Sequence, residues 1–314
     1  VPLYITFQDL LGLIRSNLTV VVFGRASGMG DGAMILPTIT AVRKQYGSDT
    51  VFVMMCSSYL ATVFGHNNCL DFIVSYKREE IDIYLNAEHL NIIKQTNAIL
   101  HDFEHECPCG VHEGITPVLK RRSRVEIFAE SCGVKFNINN YNFKLHDNDL
   151  DSPKRLNLPD RYIAVGIRSS GFWKDYRYMK WLTRYLVMFG KKFDFQVVTL
   201  DRDIKFDVKG AIGLAGETLG DIYGVLAGSL LTISMCSGYA HVAGALEIPV
   251  FGLYGPTPPN LFLRYKKASW IPKFKRCKRQ YCWYAPCKMK PCLSIHPKKI
   301  ITHLEQAMKG FDII

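Results

Sequence analysis

Apolar and polar positions fall into two stretches with the same α/β grammar. Leu18 to Phe23 is apolar throughout except Thr19, the pattern of a strand in a parallel sheet covered on both faces. A glycine-rich turn follows, Gly24 to Gly32. Ala33 to Tyr46 then carries Ile35, Ile39 and Val42 at helical spacing, with Pro37 near the first turn, where proline is tolerated. Thr50 to Met55 and Phe72 to Ser75 read as the next strands. Strand, glycine turn, helix and strand form the first βαβ unit of a doubly wound sheet. Residues 79–105 and 120–132 read as mostly helical, and the polar stretch Asn137 to Pro159 is expected to link two domains, 1–150 and 151–314.

The second half repeats the pattern. Strands are expected at Tyr162–Ile167, Phe195–Leu200, Leu230–Met235 and Pro249–Tyr254, with helices at Tyr176–Phe189, Leu219–Ala227 and Tyr239–Leu246. The fold class is α/β, with two Rossmann-like domains whose parallel sheets turn their carboxyl-end loops toward a shared cleft, the default ligand site. Lys298 to Phe311 is a last helix, expected to pack back on the first domain.

At 314 residues the chain is long enough for two cores of ordinary domain size. The longest apolar runs have strand length, which argues against a membrane-spanning helix, and the chain opens at Val1 without a basic-then-apolar leader. Ten cysteines are too sparse for a small disulfide scaffold, so a reducing cytoplasm, including the inner face of its membrane, is the expected setting.

Lys and Arg number 39 against 28 Asp and Glu, a net charge of +11. Twelve of these basic residues lie between Arg264 and Lys299, where no acid occurs, so the rest of the chain is close to neutral. The basicity is one patch. It suits nucleotide phosphates, an anionic membrane surface or nucleic acid, or else it is a solvated face.

Glycines at 24, 28, 30 and 32 keep side chains away from the mouth of the first strand, so backbone amides can approach an anion. Gly28-x-Gly30-x-x-Ala33 matches the dinucleotide fingerprint. That fingerprint wants an acid at the end of the second strand, and this one ends Met54-Met55-Cys56-Ser57, which argues against a nicotinamide or flavin cofactor. Asp31 stands in the same loop. It is either a general base for an incoming hydroxyl or an N-cap of the helix that follows.

In the second half, Arg168-Ser169-Ser170-Gly171-Phe172-Trp173-Lys174 places two hydroxyls and two cations after a strand, a candidate diphosphate clamp. The bland alternative is a serine-capped turn. Ser237 and Gly238 sit at a helix start, another anion-facing position, with His241 one turn inside, and Gly255-Pro256-Thr257 forms a rigid turn offering a hydroxyl.

These pieces together resemble the family 9 glycosyltransferases, the heptosyltransferase-like enzymes of lipopolysaccharide synthesis. The matching residues are Gly28-x-Gly30-Asp31 with Leu36-Pro37, Lys174, Ser237-Gly238-x-x-His241 with Ala243 and Ala245, and Tyr254-Gly255-Pro256-Thr257-x-Pro259. The resemblance runs in order from about residue 18 to residue 305. It implies a GT-B fold and inverting transfer from a nucleotide-sugar, typically ADP-heptose, to a glycan, glycolipid or protein hydroxyl, with no catalytic cofactor or essential metal. It implies Asp31 as base toward the acceptor, with Lys174, Ser237, Gly238, His241, Gly255, Pro256 and Thr257 around the donor. The chain departs from the pattern in two places. Cys236 stands where the family usually has an aspartate, and Asp175-Tyr176 replaces a usual Trp-Pro.

Cys277, Cys282, Cys287 and Cys292 lie in the basic patch, each five residues from the next. Four thiolates in so short a loop can converge on a tetrahedral iron or zinc ion; two disulfides or free thiols are the other readings. Family members acting on autotransporter proteins carry a cysteine-held iron in this domain, which the resemblance extends to these residues. Cys107-Pro108-Cys109 is too tight for a Cys-x-x-Cys redox pair. The main rival function is nucleic-acid binding through the segment 264–299, with Trp270, Phe274, Tyr281, Trp283 and Tyr284 as stacking surfaces.

Overall fold

A computed structural model describes residues 1–26, 28–77, 87–107, 122–272, 277, 281–282 and 291–314. It divides into two compact units, Val1–Lys144 and Leu145–Ile314.

The first unit runs β1 (Leu3–Ile5), α1 (Phe7–Arg15), β2 (Thr19–Arg25), α2 (Met29–Arg43), β3 (Thr50–Ser57), α3 (Ser58–Phe64), β4 (Phe72–Tyr76), α4 (Ala87–Lys94), β5 (Ile99–Asp102) and α5 (Arg124–Ser131). All described pairings are parallel, in the order β1-β4-β3-β2-β5. The apolar runs became the inner strands because both faces of β2 and β3 are covered: Val21, Val22, Phe23, Phe52, Val53 and Met54 are fully buried.

Two expectations change here. Of residues 79–105, the described ones from 87 on hold one helix, α4, and then the strand β5, which was not expected there; residues 78–86 fall outside the described ones. With four residues, two of them His101 and Asp102, β5 has neither an apolar run nor alternation, and only its pairing with β2 makes it a strand. The helix after the glycine turn also starts earlier, at Met29, so Gly30 and Asp31 are its second and third residues rather than loop.

The second unit begins inside the stretch expected to be a linker. Two short helices, α6 (Asp147–Leu150) and α7 (Ser152–Arg155), pack on the helix Leu219–Gly228, and Ser152 and Arg155 both bond the Asp221 carboxylate. Then come β6 (Tyr162–Gly166), α8 (Met179–Phe193), β7 (Gln196–Asp201), β8 (Ala211–Ala215), α9 (Leu219–Gly228), β9 (Thr232–Ser234), α10 (Gly238–Ala245), β10 (Val250–Gly252), α11 (Pro259–Phe262), β11 (Ala268–Trp270) and α12 (Pro297–Gly310). The sheet is again parallel, ordered β11-β10-β9-β6-β7-β8. The last helix packs on α8 and buries Ile300, Leu304 and Met308 in this unit's core beside Leu182 and Leu186. No described helix is long and apolar enough to cross a membrane.

Both sheets have a topological switch point. In the first, the chain steps from β2 to β3 to β4 on one side and β5 returns on the other. In the second, β6, β7 and β8 step one way and β9 returns on the far side of β6. Loops at the carboxyl ends diverge at such points, leaving a crevice where ligands of doubly wound sheets bind.

Candidate functional site

At the first switch point β2 ends in Arg25, which is buried, at 1% exposure, and has described partners on two elements. Nη1 donates to the carbonyl of Phe103 at 2.8 Å, Nη2 donates to Asp31 Oδ2 at 2.8 Å, and Nε lies 3.4 Å from Glu104 Oε2. The other oxygen of Asp31 accepts from Arg124 Nη1 at 3.0 Å, and its side chain keeps 16% exposure. Each partner has a local reason for its place. Arg124 opens α5, whose start is fixed by a capping box between Ser123 and Glu126. Glu104 follows β5 in a turn where Asp102 Oδ1 accepts from the amides of Glu104 and His105 at 2.9 and 3.0 Å. Glu104 Oε2 also accepts from the amide of Ala26 at 3.1 Å, tying β5 to the glycine turn.

Asp31 is therefore not the cap of α2. The N-cap is Gly28, with φ of 89° and no side-chain cap bond, and both Asp31 oxygens face guanidinium groups instead. Gly28 is required twice over: its φ disfavours any side chain, and a Cβ there would lie 2.8 Å from Asp31 Oδ2. Its role is to leave that carboxylate room. Gly30 is the second residue of α2. A carboxylate in the first turn also suits the positive end of the helix.

At the second switch point Gly166 ends β6. A Cβ on it would stand 2.7 Å from Ser234 Oγ and 2.9 Å from the Tyr239 ring, so its lack of a side chain lets the β6 and β9 ends close together. Ser237 precedes α10, is 9% exposed, makes no cap bond and shares a 2.7 Å hydrogen bond with Ser234. Gly238 is the first residue of that helix, so the open amides of its first turn face the crevice end of the sheet. Thr257 is buried, and its Oγ1 has no hydrogen-bond partner among the described residues.

Three other residues expected around a donor, Arg168, Ser169 and His241, are engaged within the chain. Arg168 forms a two-point pair with Asp201 at the end of β7, with Nε–Oδ2 and Nη2–Oδ1 both 2.6 Å. Burial alone would raise the Asp201 carboxyl, but Arg168 and the amides of Asp203 and Ile204 outweigh it and hold the group below its ordinary range. Ser169 makes a local turn, its hydroxyl and amide both on Asp175 Oδ1 at 3.0 and 2.8 Å. Ser170 is exposed, and Lys174 is half-buried with its ammonium 6.0 Å from the Trp173 ring. His241 is buried in α10 and shares a 3.0 Å hydrogen bond between Nδ1 and the Tyr265 hydroxyl.

Of the cysteine segment, Cys277, Cys282 and Cys292 are described and Cys287 is not; none of the three is in a disulfide with a described cysteine. Burial pushes the Cys292 thiol up to about 12, with Cys277 and Cys282 adding to the rise. Cys292 lies against the donor-side turn: a Cβ on Gly255 would come within 3.0 Å of its sulfur, and the amide of Tyr281 donates to the Gly255 carbonyl at 3.3 Å. Of the aromatics proposed for stacking, Trp270 belongs to β11, while Phe274, Trp283 and Tyr284 fall outside the described residues, as does Cys109.

Two doubly wound parallel-sheet units in one chain make up a GT-B-like fold. Residues 187–293 match the family model for glycosyltransferase family 9 (heptosyltransferase). No curated protein matches the sequence. Among solved structures, a family 9 glycosyl transferase from Veillonella parvula is 16% identical, with TM-score 0.69, covering 99% of this chain and 100% of that one. The E. coli ADP-heptose lipopolysaccharide heptosyltransferase II is also 16% identical, with TM-score 0.68 over 94% of this chain and 100% of that one. The dodecameric iron-containing heptosyltransferase TibC, from enterotoxigenic E. coli, is 12% identical, with TM-score 0.67 over 94% and 77%. The chain has the heptosyltransferase-like fold of glycosyltransferase family 9.

Proposed function

We propose that this protein is an inverting glycosyltransferase that moves a sugar, heptose in the first instance, from a nucleotide-sugar such as ADP-heptose to a hydroxyl of a cell-envelope glycolipid, glycan or protein. The observation that carries the reading is a partly exposed carboxylate, Asp31, held at one switch point, while the start of α10, which has no side-chain cap bond, stands at the other, and Thr257 Oγ1 has no hydrogen-bond partner among the described residues. In this reading Asp31 takes the proton of the acceptor hydroxyl as its oxygen attacks the anomeric carbon. The bond from that carbon to the diphosphate breaks on the opposite face, and the nucleoside diphosphate leaves with the electron pair. The growing charge meets Lys174, Ser237, the amides at Gly238 and Thr257. Arg168 contributes through Asp201, as a brace of the loop that carries Lys174. Cytoplasmic acceptors at the inner membrane face suit the basic patch. A thermal-shift screen over ADP-, UDP- and GDP-sugars tests the donor side: one of them is expected to raise the melting temperature, and no response to any would count against the reading.

The cysteine segment fits a structural metal by the chemistry of its donors. Cys277, Cys282 and Cys292 are neighbouring thiols of the type that binds iron or zinc, and the iron in TibC supports the same reading here. Such an ion would hold the loop against Gly255 and take no part in transfer. Because burial raises the Cys292 thiol, loading would release protons and weaken in acid. Elemental analysis is expected to find iron or zinc near one per chain; neither being present would remove the site.

A further inference from the structure

Asp31 is one end of a buried line of charge that the sequence motifs do not contain. Behind it stands Arg25, and behind Arg25 stands Glu104, both 1% exposed. Charges so deeply placed are costly, and a well-packed apolar pair would serve stability as well or better. The geometry is also directional. The described contacts of Arg25 are two hydrogen bonds, to a carboxylate on α2 and a carbonyl after β5, and an ion pair with a second carboxylate after β5, so its rotation is fixed from two elements. Glu104 is in turn fixed by the Ala26 amide and by the Asp102 turn, where His105 Nδ1 lies 2.9 Å from Asp102 Oδ2.

We propose that Arg25 is a positioning residue: anchored by Glu104 and the Phe103 carbonyl, it aims the Asp31 carboxylate at the acceptor hydroxyl. This rests on the glycosyl-transfer reading above. A guanidinium serves here because it presents separate N–H groups in one plane, whereas an ammonium cannot satisfy three divergent partners at these distances. Arg124 engages the other oxygen from a half-exposed position at 21% side-chain exposure, so the two arginines divide the work: Arg25 anchors from within, and Arg124 closes from the solvent side. Among the described residues, the charged groups around Asp31 are Arg25 on β2, Arg124 on α5, and Glu104 with the Asp102–His105 pair after β5. His101 on β5 is kept toward its neutral form by burial.

The test uses Arg25→Met paired with Glu104→Leu, which removes the buried charges together so that neither is stranded, and Arg25→Lys, which keeps a charge and loses the aim. Two readouts are taken on the full chain: the titration of the Asp31 carboxyl by carbon-13 NMR, assigned through Asp31→Asn, and the pH profile of kcat/KM with a responsive donor. In the double variant the Asp31 titration is expected to move to higher pH by about one unit, as for a carboxylate that loses a neighbouring cation. The acid limb of the profile should move with it, and kcat should fall tenfold or more while the donor KM holds. In Arg25→Lys the titration should stay near that of the unsubstituted protein while kcat falls. A folded double variant with unmoved titration and unchanged kcat would overturn the proposal, and full kcat in Arg25→Lys would overturn the aiming role. If the unsubstituted protein transfers no sugar, the glycosyl-transfer reading fails, and an unmoved titration would then also dismiss Arg25.

Discussion

Asp31→Asn is expected to lower kcat by about 10² to 10⁴, the scale of a lost general base. The substitution is nearly isosteric, so Gly28 still has room beside it, and the amide oxygen can still accept from one arginine. It does remove a negative charge from a buried cluster. A hydrogen bond to a charged group is worth about 1.5 to 3 kcal/mol, and Arg25 retains Glu104 and the Phe103 carbonyl. A domain with a typical reserve of about 5 to 15 kcal/mol stays folded after such a loss. A fall of a hundredfold or more therefore cannot come from unfolding, and a melting curve beside the kinetics separates the two effects. Donor binding should be unchanged, because the proposed donor contacts all belong to the second unit. Undiminished turnover would leave Asp31 as a counter-charge for Arg25 and nothing more.

Gly166→Val is expected to cost about 1 to 3 kcal/mol of stability and to weaken nucleotide binding at least tenfold, although residue 166 would touch no ligand itself. A Cβ at this position already stands 2.7 Å from Ser234 Oγ and 2.9 Å from the Tyr239 ring, and valine adds two methyl groups. Ser234 is fully buried and bonded to Ser237, so the strain has no open side to escape toward. The ends of β6 and β9 must part, carrying the α10 amides away from the loop that bears Lys174. Melting temperature and nucleotide affinity measured together decide the matter. A destabilised protein with full affinity would place the donor elsewhere.

The sequence announces inner strands better than edges. β2, β3, β6 and β7 are buried on both faces and appear as apolar runs, whereas β5 and β11 are short edge strands whose residues carry no pattern apart from their partners, and the edge strand β8 is apolar but small and glycine-interrupted. The site follows the same division. Asp31, Gly28, Ser237, Gly255 and Thr257 stand out because glycine turns and helix starts are local chemistry. Arg25 does not, since the groups that anchor it from behind, Phe103 and Glu104, lie 78 residues away and beyond, and Arg124 meets Asp31 across 93 residues. One local sign was available: a single arginine closing an apolar strand ahead of a glycine turn must find an acid or a carbonyl once buried. Arg168 teaches the reverse. It looked like a phosphate ligand because Asp201, 33 residues on, is invisible as a partner until β6 and β7 pair.

The most direct measurement is the anomeric configuration of the product, read by NMR after incubating the protein with the responsive nucleotide-sugar and an acceptor glycan. A single displacement assisted by Asp31 predicts a new glycoside of inverted configuration, one nucleoside diphosphate released per bond formed, and both products formed about a hundredfold or more slower with Asp31→Asn. A glycoside of retained configuration would contradict it, as would full product formation by the Asn variant.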